Sequence, residues 1–306
     1  MPAISRLATH ALLLPLAIAC AHRSTVTNPS IRELDATAAI EVRAARTPGA
    51  VVRVSAYRLD GRGLRIAIRA DSLVHAASTM KVPVMIALAR RAEQGQLRLD
   101  DSMPLVNRFE SIVDKSSYTL SRDDDSDNSV YDRVGQQVPI RWLATRMITH
   151  SSNLATNALL TVVSADSVTA LTRTLGTTRM LVRRGVEDTP AFRAGLNNVT
   201  TAGDLAALMA AIGTDRAASA ASCQWMREVL FAQAYNTAIP VGLPPGTRVA
   251  HKTGDITRVE HDAAIIYPDG GAPYVLVVLT SGVESQEDAR TLIADITRIV
   301  HAAIQR

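Results

Sequence analysis

A chain of 306 residues, 47% of them hydrophobic, is long enough to bury a large core in one domain or two interlocked lobes, which excludes disordered and fibrous classes. Its net charge of +4 comes from 33 basic and 29 acidic side chains with few aromatics between them, so the basic pI does not amount to a nucleic-acid surface. Only three of those cations are lysines, Lys81, Lys115 and Lys252. In a chain that otherwise uses arginine, each lysine is a candidate for chemistry, because a desolvated lysine can lose its proton and a guanidinium cannot.

Residues 1–23 read as an export signal. Arg6 precedes the apolar stretch 7–19, which is interrupted by His10 and Pro15 and is too short to span a bilayer. Cleavage after Ala17-Ile18-Ala19 would leave Cys20 at the new N-terminus, where a bacterial lipoprotein carries its lipid. Ala17 stands where such signals usually have Leu, so a lipid anchor at Cys20 and simple cleavage are both open. The expected location is periplasmic and the expected state a monomer. With Cys20 lipidated or removed, Cys223 has no partner for an internal disulfide.

The mature part, 28–306, begins with a helical pattern over 31–45. Two strands follow, 50–59 through Val52, Val54 and Ala56, and 64–69 through Leu64, Ile66 and Ile68, joined by the turn Asp60-Gly61-Arg62-Gly63. From 71 to 246 the signals are almost all helical: 82–91 ending at Gly95, 140–148, 153–163, 165–175 stopped by Gly176, and 204–212 stopped by Gly213. Thr201 with Asp204 resembles a capping box. Three strands then appear, 247–252, 263–267 and 274–280, the last two joined across Pro268-Asp269-Gly270-Gly271. A final helix over 284–304 places Leu292, Ile293, Ile296, Val300 and Ala303 on one face. The expected fold is α+β, an α/β sandwich. Its five-stranded antiparallel sheet comes from both chain ends (28–70 and 247–306), with terminal helices on one side and an all-helical lobe (71–246) inserted.

Three short polar clusters carry the chemistry. Ser78 and Lys81 fall in the first turn of the helix over 82–91, a spacing that brings amine and hydroxyl within hydrogen-bond reach, at a helix N-terminus suited to an oxyanion. A lysine with a lowered pKa can then activate the serine. Ser151-Ser152-Asn153 opens the helix over 153–163, and Lys252-Thr253-Gly254 closes the first C-terminal strand. Each alone has a bland explanation, an ordinary helix start, an N-cap or a Gly turn. All three, each at an element end that a shared cleft requires, point to one nucleophile, one lysine base, a second hydroxyl and a fixed cation for an anionic substrate.

The order Ser-x-x-Lys, Ser-x-Asn, Lys-Thr-Gly resembles the penicillin-recognising serine enzymes, most closely the class A β-lactamase family. The likeness extends to the stretch 147–157, to Leu175-Gly176, and to Thr200-Thr201-Ala202; Ser152 replaces the Asp usual in the second motif. It implies the β-lactamase/transpeptidase-like fold and a Ser78 acyl-enzyme with no cofactor or metal. In that scheme Lys81 takes or relays the serine proton, and Ser151 protonates the departing lactam nitrogen. Asn153 binds the side-chain amide, Lys252 and Thr253 bind the carboxylate, and the N–H groups of Ser78 and Asp255 form the oxyanion hole.

One segment departs from the family. Where it carries Glu-x-x-Leu-Asn, whose glutamate activates the hydrolytic water, this chain ends in Leu196-Asn197 with Arg193 at the glutamate position. Glu187 is the nearest carboxylate, with an ion pair to Arg183 or Arg184 as the alternative. The substrate is accordingly expected to be a β-lactam. The alternatives are a D-alanyl peptidase or amidase acting on cell-wall peptide, and a slow-turnover penicillin-binding sensor or scaffold. The run Asp123-Asp124-Asp125-Ser126-Asp127-Asn128 lacks the glycine and glutamate of a calcium loop and reads as a solvated acidic loop. His75, His150 and His251 lack metal-ligand spacing and read as side chains of the cleft wall or rim.

Overall fold

The computed structural model describes residues 30–305; the expected export signal, with Cys20, lies outside them. Helix α1 (Ile31–Ala45) starts at a capping box of Ser30 and Glu33. Strands β1 (Val51–Arg58) and β2 (Arg65–Ile68) form the expected hairpin. The central helices are α2 (Lys81–Glu93), α3 (Ile140–Thr149), α4 (Asn153–Val163), α5 (Ala165–Thr174), α6 (Ala202–Gly213) and α7 (Ala220–Phe231). Strands β3 (Arg248–Ile256), β4 (Val259–Tyr267) and β5 (Tyr274–Ser281) and helix α8 (Gln286–Ile304) complete the chain.

The sheet order is β2-β1-β5-β4-β3, antiparallel throughout, so the N-terminal hairpin docks on the last strand and β3 forms one edge. Side-chain alternation assigns the two faces. On β5, Tyr274, Leu276 and Val278 pack with Ile40 of α1 and Leu292 and Ile296 of α8, while Val275, Val277 and Leu279 join the core of the central helices. Burial on both faces explains why β5 reads as an unbroken apolar run.

Several expectations need correction. The pair Thr201–Asp204 is half a capping box: Thr201 accepts the Asp204 N–H, but the Asp204 carboxylate turns to the N–H groups of Thr178, Arg179 and Met180. Helix α7 lies in the stretch around Cys223, whose sequence reads as helical, and three short strand pairs of two or three residues lie in the central segment, where no strand was expected. Strand β3 does not stop at Lys252 but continues through Gly254 to Ile256, and β4 starts four residues early, at Val259. The acidic run is not simply solvated. Asp125 is buried and accepts from the Leu154 N–H (2.8 Å) and Ser152 Oγ (3.3 Å), and Asp127 is buried against Arg146.

Candidate active site

Ser78 sits in a single 3-10 turn, Ala77–Met80, that runs directly into α2. The chain enters this turn through Ala77 at φ 46°, a left-handed conformation that a residue with a Cβ adopts only where its surroundings hold it. His75 supplies the hold: its Nδ1 accepts the Ala77 N–H at 3.0 Å, and its carbonyl lies 2.9 Å from Nε2 of the fully buried His261. From the other side, edge strand β3 comes so close that a Cβ on Gly254 would lie 2.8 Å from the backbone nitrogens of Ser78 and Thr79. The glycine of the third motif therefore marks a close approach of backbones, not a turn.

Lys81 is fully buried, and its amine is not bonded to Ser78 as the spacing suggested. It reaches across to Ser151 O (2.6 Å), Ser151 Oγ (3.2 Å) and Asn153 Oδ1 (2.9 Å), because the start of α4 offers three acceptors where Ser78 offers one. Lys252, also fully buried, donates to the same Ser151 Oγ at 3.1 Å and to Thr253 O at 2.7 Å. The Ser151 hydroxyl thus lies between two amines, on a residue held at φ 59°. Burial, with the Lys252 charge beside it, holds the Lys81 pKa well below that of free lysine, against the pull of Asp125, Asp255 and Glu187. Burial brings Lys252 down to about 7.

Beside these buried groups opens a cleft of about 460 Å³, lined among others by Ser78, Asn153, Glu187 and Asp255. Thr253 is buried next to it, and Asp255 is exposed on β3 opposite Glu260 of β4. Glu187 comes from the loop that departs from the family pattern. Asn157 of α4 holds Val186 through both its N–H (2.6 Å) and its carbonyl (2.9 Å). On the other side, Asp188 caps the short helix Thr189–Arg193 and accepts from Ser111 Oγ and the Ile112 N–H. Glu187 is fixed between these clamps at φ 64°, half-buried, and its Oε1 accepts from Asn153 Nδ2 at 3.1 Å. Asn153 therefore bridges Lys81 and Glu187. Burial raises the Glu187 pKa; Asn153 opposes this, and the carboxylates of Asp125 and Asp124 add to it.

Neither Arg183 nor Arg184 pairs with Glu187 among the described residues. The Arg184 guanidinium donates to Gly185 O and Asn197 Oδ1, and Arg193 is exposed. Of the histidines, His75 lines the cleft and His150 is half-buried, but His251 is fully buried beneath β3, between Asp262 (2.9 Å) and Asn236 (3.1 Å), and is no rim residue.

Sequence reasoning assigned no role to Asn157, Asn198, His261 and Asp262. Asn198 accepts from the N–H groups of Arg183 and Arg184 and donates to Arg184 O, tying the two ends of the loop together. Asn157 left a trace, one amide within the apolar run of α4, which is the signature of a buried polar group with an assigned partner.

A model of the "Beta-lactamase enzyme family" matches residues 35–304. Beta-lactamase AST-1 of Nocardia asteroides is 30% identical, over 96% of this chain and 93% of that one. Among solved structures, a β-lactamase from Sphaerobacter thermophilus aligns with a TM-score of 0.74 and 27% identity, covering 88% of this chain and 97% of the other. The structure titled PBP-A aligns at 0.77 and 24% identity, over 89% and 96%, a likeness of fold.

Proposed function

This chain belongs to the β-lactamase enzyme family, and from that premise we propose how its residues carry out serine β-lactam hydrolysis. The observation that carries the assignment is the Ser151 hydroxyl held between two buried amines beside Ser78. Two ammonium groups sharing one hydroxyl repel each other, and a neutral Lys81 removes the conflict. It then donates to Ser151 O and Asn153 Oδ1, and its lone pair accepts the Ser151 hydroxyl proton, while Lys252 keeps its charge.

In acylation, Ser78 Oγ attacks the lactam carbonyl carbon and its proton passes to Lys81, whose lone pair is freed when Ser151 turns to the substrate. The C–N bond breaks, Ser151 gives its proton to the departing nitrogen, and Lys81 restores that proton. Lys252 and Thr253 hold the substrate carboxylate, and Asn153 the side-chain amide. The N–H groups of Ser78 and Asp255 face the developing oxyanion. Glu187 then takes a proton from water, the hydroxide adds to the Ser78 ester, and the product acid leaves as Ser78 regains its proton. That Glu187 lines the same cleft as Ser78 favours turnover over trapping.

We take the protein to be exported to the periplasm as a monomer, on the strength of Arg6 and the apolar stretch 7–19, with Cys20 as its candidate lipid anchor. To test the assignment, purified protein is incubated with a chromogenic cephalosporin and followed by both colour and intact mass. Steady hydrolysis, with a transient adduct that is absent in Ser78→Ala, is expected. A burst with one lasting adduct would show a binding protein, and an adduct in Ser78→Ala would show the wrong nucleophile.

A further inference from the structure

Helix α1 is apolar on two sides. One side is core, with Ala36, Ile40 and Ala44 buried against the sheet. On the other, Ile31, Leu34, Ala38, Val42 and Ala45 follow one another at intervals of three or four residues, all exposed, Ile31 to 78%, Leu34 to 53% and Val42 to 55%. That spacing aligns them in one row along the helix. Single exposed hydrophobes are ordinary, but an aligned row of them on a surface helix is a contact surface. Arg32 and Arg46, near the two ends of the helix, are exposed and form no ion pair among the described residues. Asp35 is the exposed carboxylate of α1, whereas Glu33 accepts from the N–H groups of Ser30 and Arg65 and Glu41 pairs with Arg69.

The sequence ahead of the helix indicates what meets this row. Ten residues, 21–30, separate Cys20, the candidate lipid anchor, from Ile31, and eleven residue steps span at most about 40 Å. A chain anchored there keeps α1 beside the membrane. An apolar row with arginines near both ends suits that surface, the row entering the boundary between headgroups and acyl chains and the arginines meeting lipid phosphates. The sheet lies between α1 and the central helices, so docking by this row leaves the Ser78 side of the molecule turned away from the bilayer. We propose that the exposed row of α1 docks on an anionic phospholipid bilayer, as a membrane contact additional to the N-terminal segment. The proposal rests on the export reading above, which brings the chain to that surface.

The test uses the full chain made with its own leader, and intact mass records which N-terminal form the cell produces. Val42→Trp places a reporter in the row, while the native Trp142 of α3 and Trp225 of α7 lie across the sheet and give the baseline. With vesicles of phosphatidylethanolamine and phosphatidylglycerol carrying brominated acyl chains, the emission added by Val42→Trp should be quenched, and that added by Ala221→Trp on α7 should not. Adding Ile31→Gln and Leu34→Gln to Val42→Trp should lower the ratio of docked to undocked protein by about tenfold, the order expected for two half-buried aliphatic contacts. Because these side chains are exposed, the melting temperature should hold. No quenching of Val42→Trp, or equal quenching of Val42→Trp and Ala221→Trp, overturns the proposal. So does a blue-shifted Val42→Trp emission without vesicles: sedimentation as a dimer would assign the row to a second copy, and a monomer retaining residues 1–19 would assign it to the leader. A mass that retains the leader overturns the export reading by itself, and the quenching comparison still decides the row.

Discussion

The groups assigned to acylation and the group assigned to deacylation are held in different ways. Ser78, Lys81, Ser151 and Lys252 stand on the 3-10 turn, the start of α2, the turn before α4 and strand β3, and three of the four are buried. Each of the two amines has at least two acceptors. Glu187 stands on a loop, half-buried, and its carboxylate is held by Asn153 alone among the side chains around it. Bond formation to Ser78 is thus preorganised by the core of the fold, whereas release depends on a segment whose shape is set by the side chains of Asn157, Asp188 and Asn198.

The largest effect expected is at Lys81. Lys81→Arg puts a permanent cation where the mechanism needs a neutral amine and so removes the base, and acylation rates by stopped-flow should fall about 10²–10⁴-fold. Retention of most of the rate would move the base elsewhere. Glu187→Gln should sharpen the contrast: acylation stays near wild type while deacylation falls by about 10²-fold or more, and mass spectrometry shows the ester accumulating. Hydrolysis at the wild-type rate in this variant would return Glu187 to a structural role.

Gly254→Ala probes the rigid half. Its Cβ would meet the backbone nitrogens of Ser78 and Thr79, so β3 or the turn must shift, and a displacement approaching 1 Å is expected to slow acylation by about 10²-fold. Normal acylation with an unchanged melting temperature would show that the approach is looser than described. The smallest effect is in pH. Lys252 must be protonated to hold a carboxylate, and its pKa near 7 in the empty site means that the charge is complete below that pH and lost above it. KM for a carboxylate-bearing β-lactam should be flat below pH 7 and rise above it, by at most about tenfold per unit. A methyl ester of the same substrate should show no such rise.

The rigid half was the more legible in sequence, and for a local reason. Ser78 and Lys81 stand three residues apart in one turn, and Ser151 and Asn153 flank the N-cap Ser152 of α4, so each pair is local in sequence. That Lys81 bonds Ser151 and not Ser78 depends on where α4 lies beside α2, which no spacing encodes. Gly254 misled because glycine signals a turn in sequence, while here it serves the approach of an edge strand. Helix α7 is only faintly legible, around Cys223, because its first turn, Ala220-Ala221-Ser222, has little apolar periodicity and its buried face is Cys223, Met226, Val229 and Leu230. The loop around Glu187 was the least legible, since its clamps are single amides on distant elements.

The sheet order carries a consequence for timing. Strand β1 pairs residue by residue with β5, more than two hundred positions later, and β3, which brings Gly254 against the Ser78 turn, joins only through β4. Contacts this remote in sequence form late and slowly. During synthesis, the nucleophile, its lysine and the second serine all emerge long before the strand that closes the site. A chain arrested ahead of residue 248 would hold two motifs and lack the β3 side of the cleft. Reactivity toward a lactam should therefore appear all at once, when the C-terminal hairpin docks, so that covalent labelling by a penicillin reports completion of the fold.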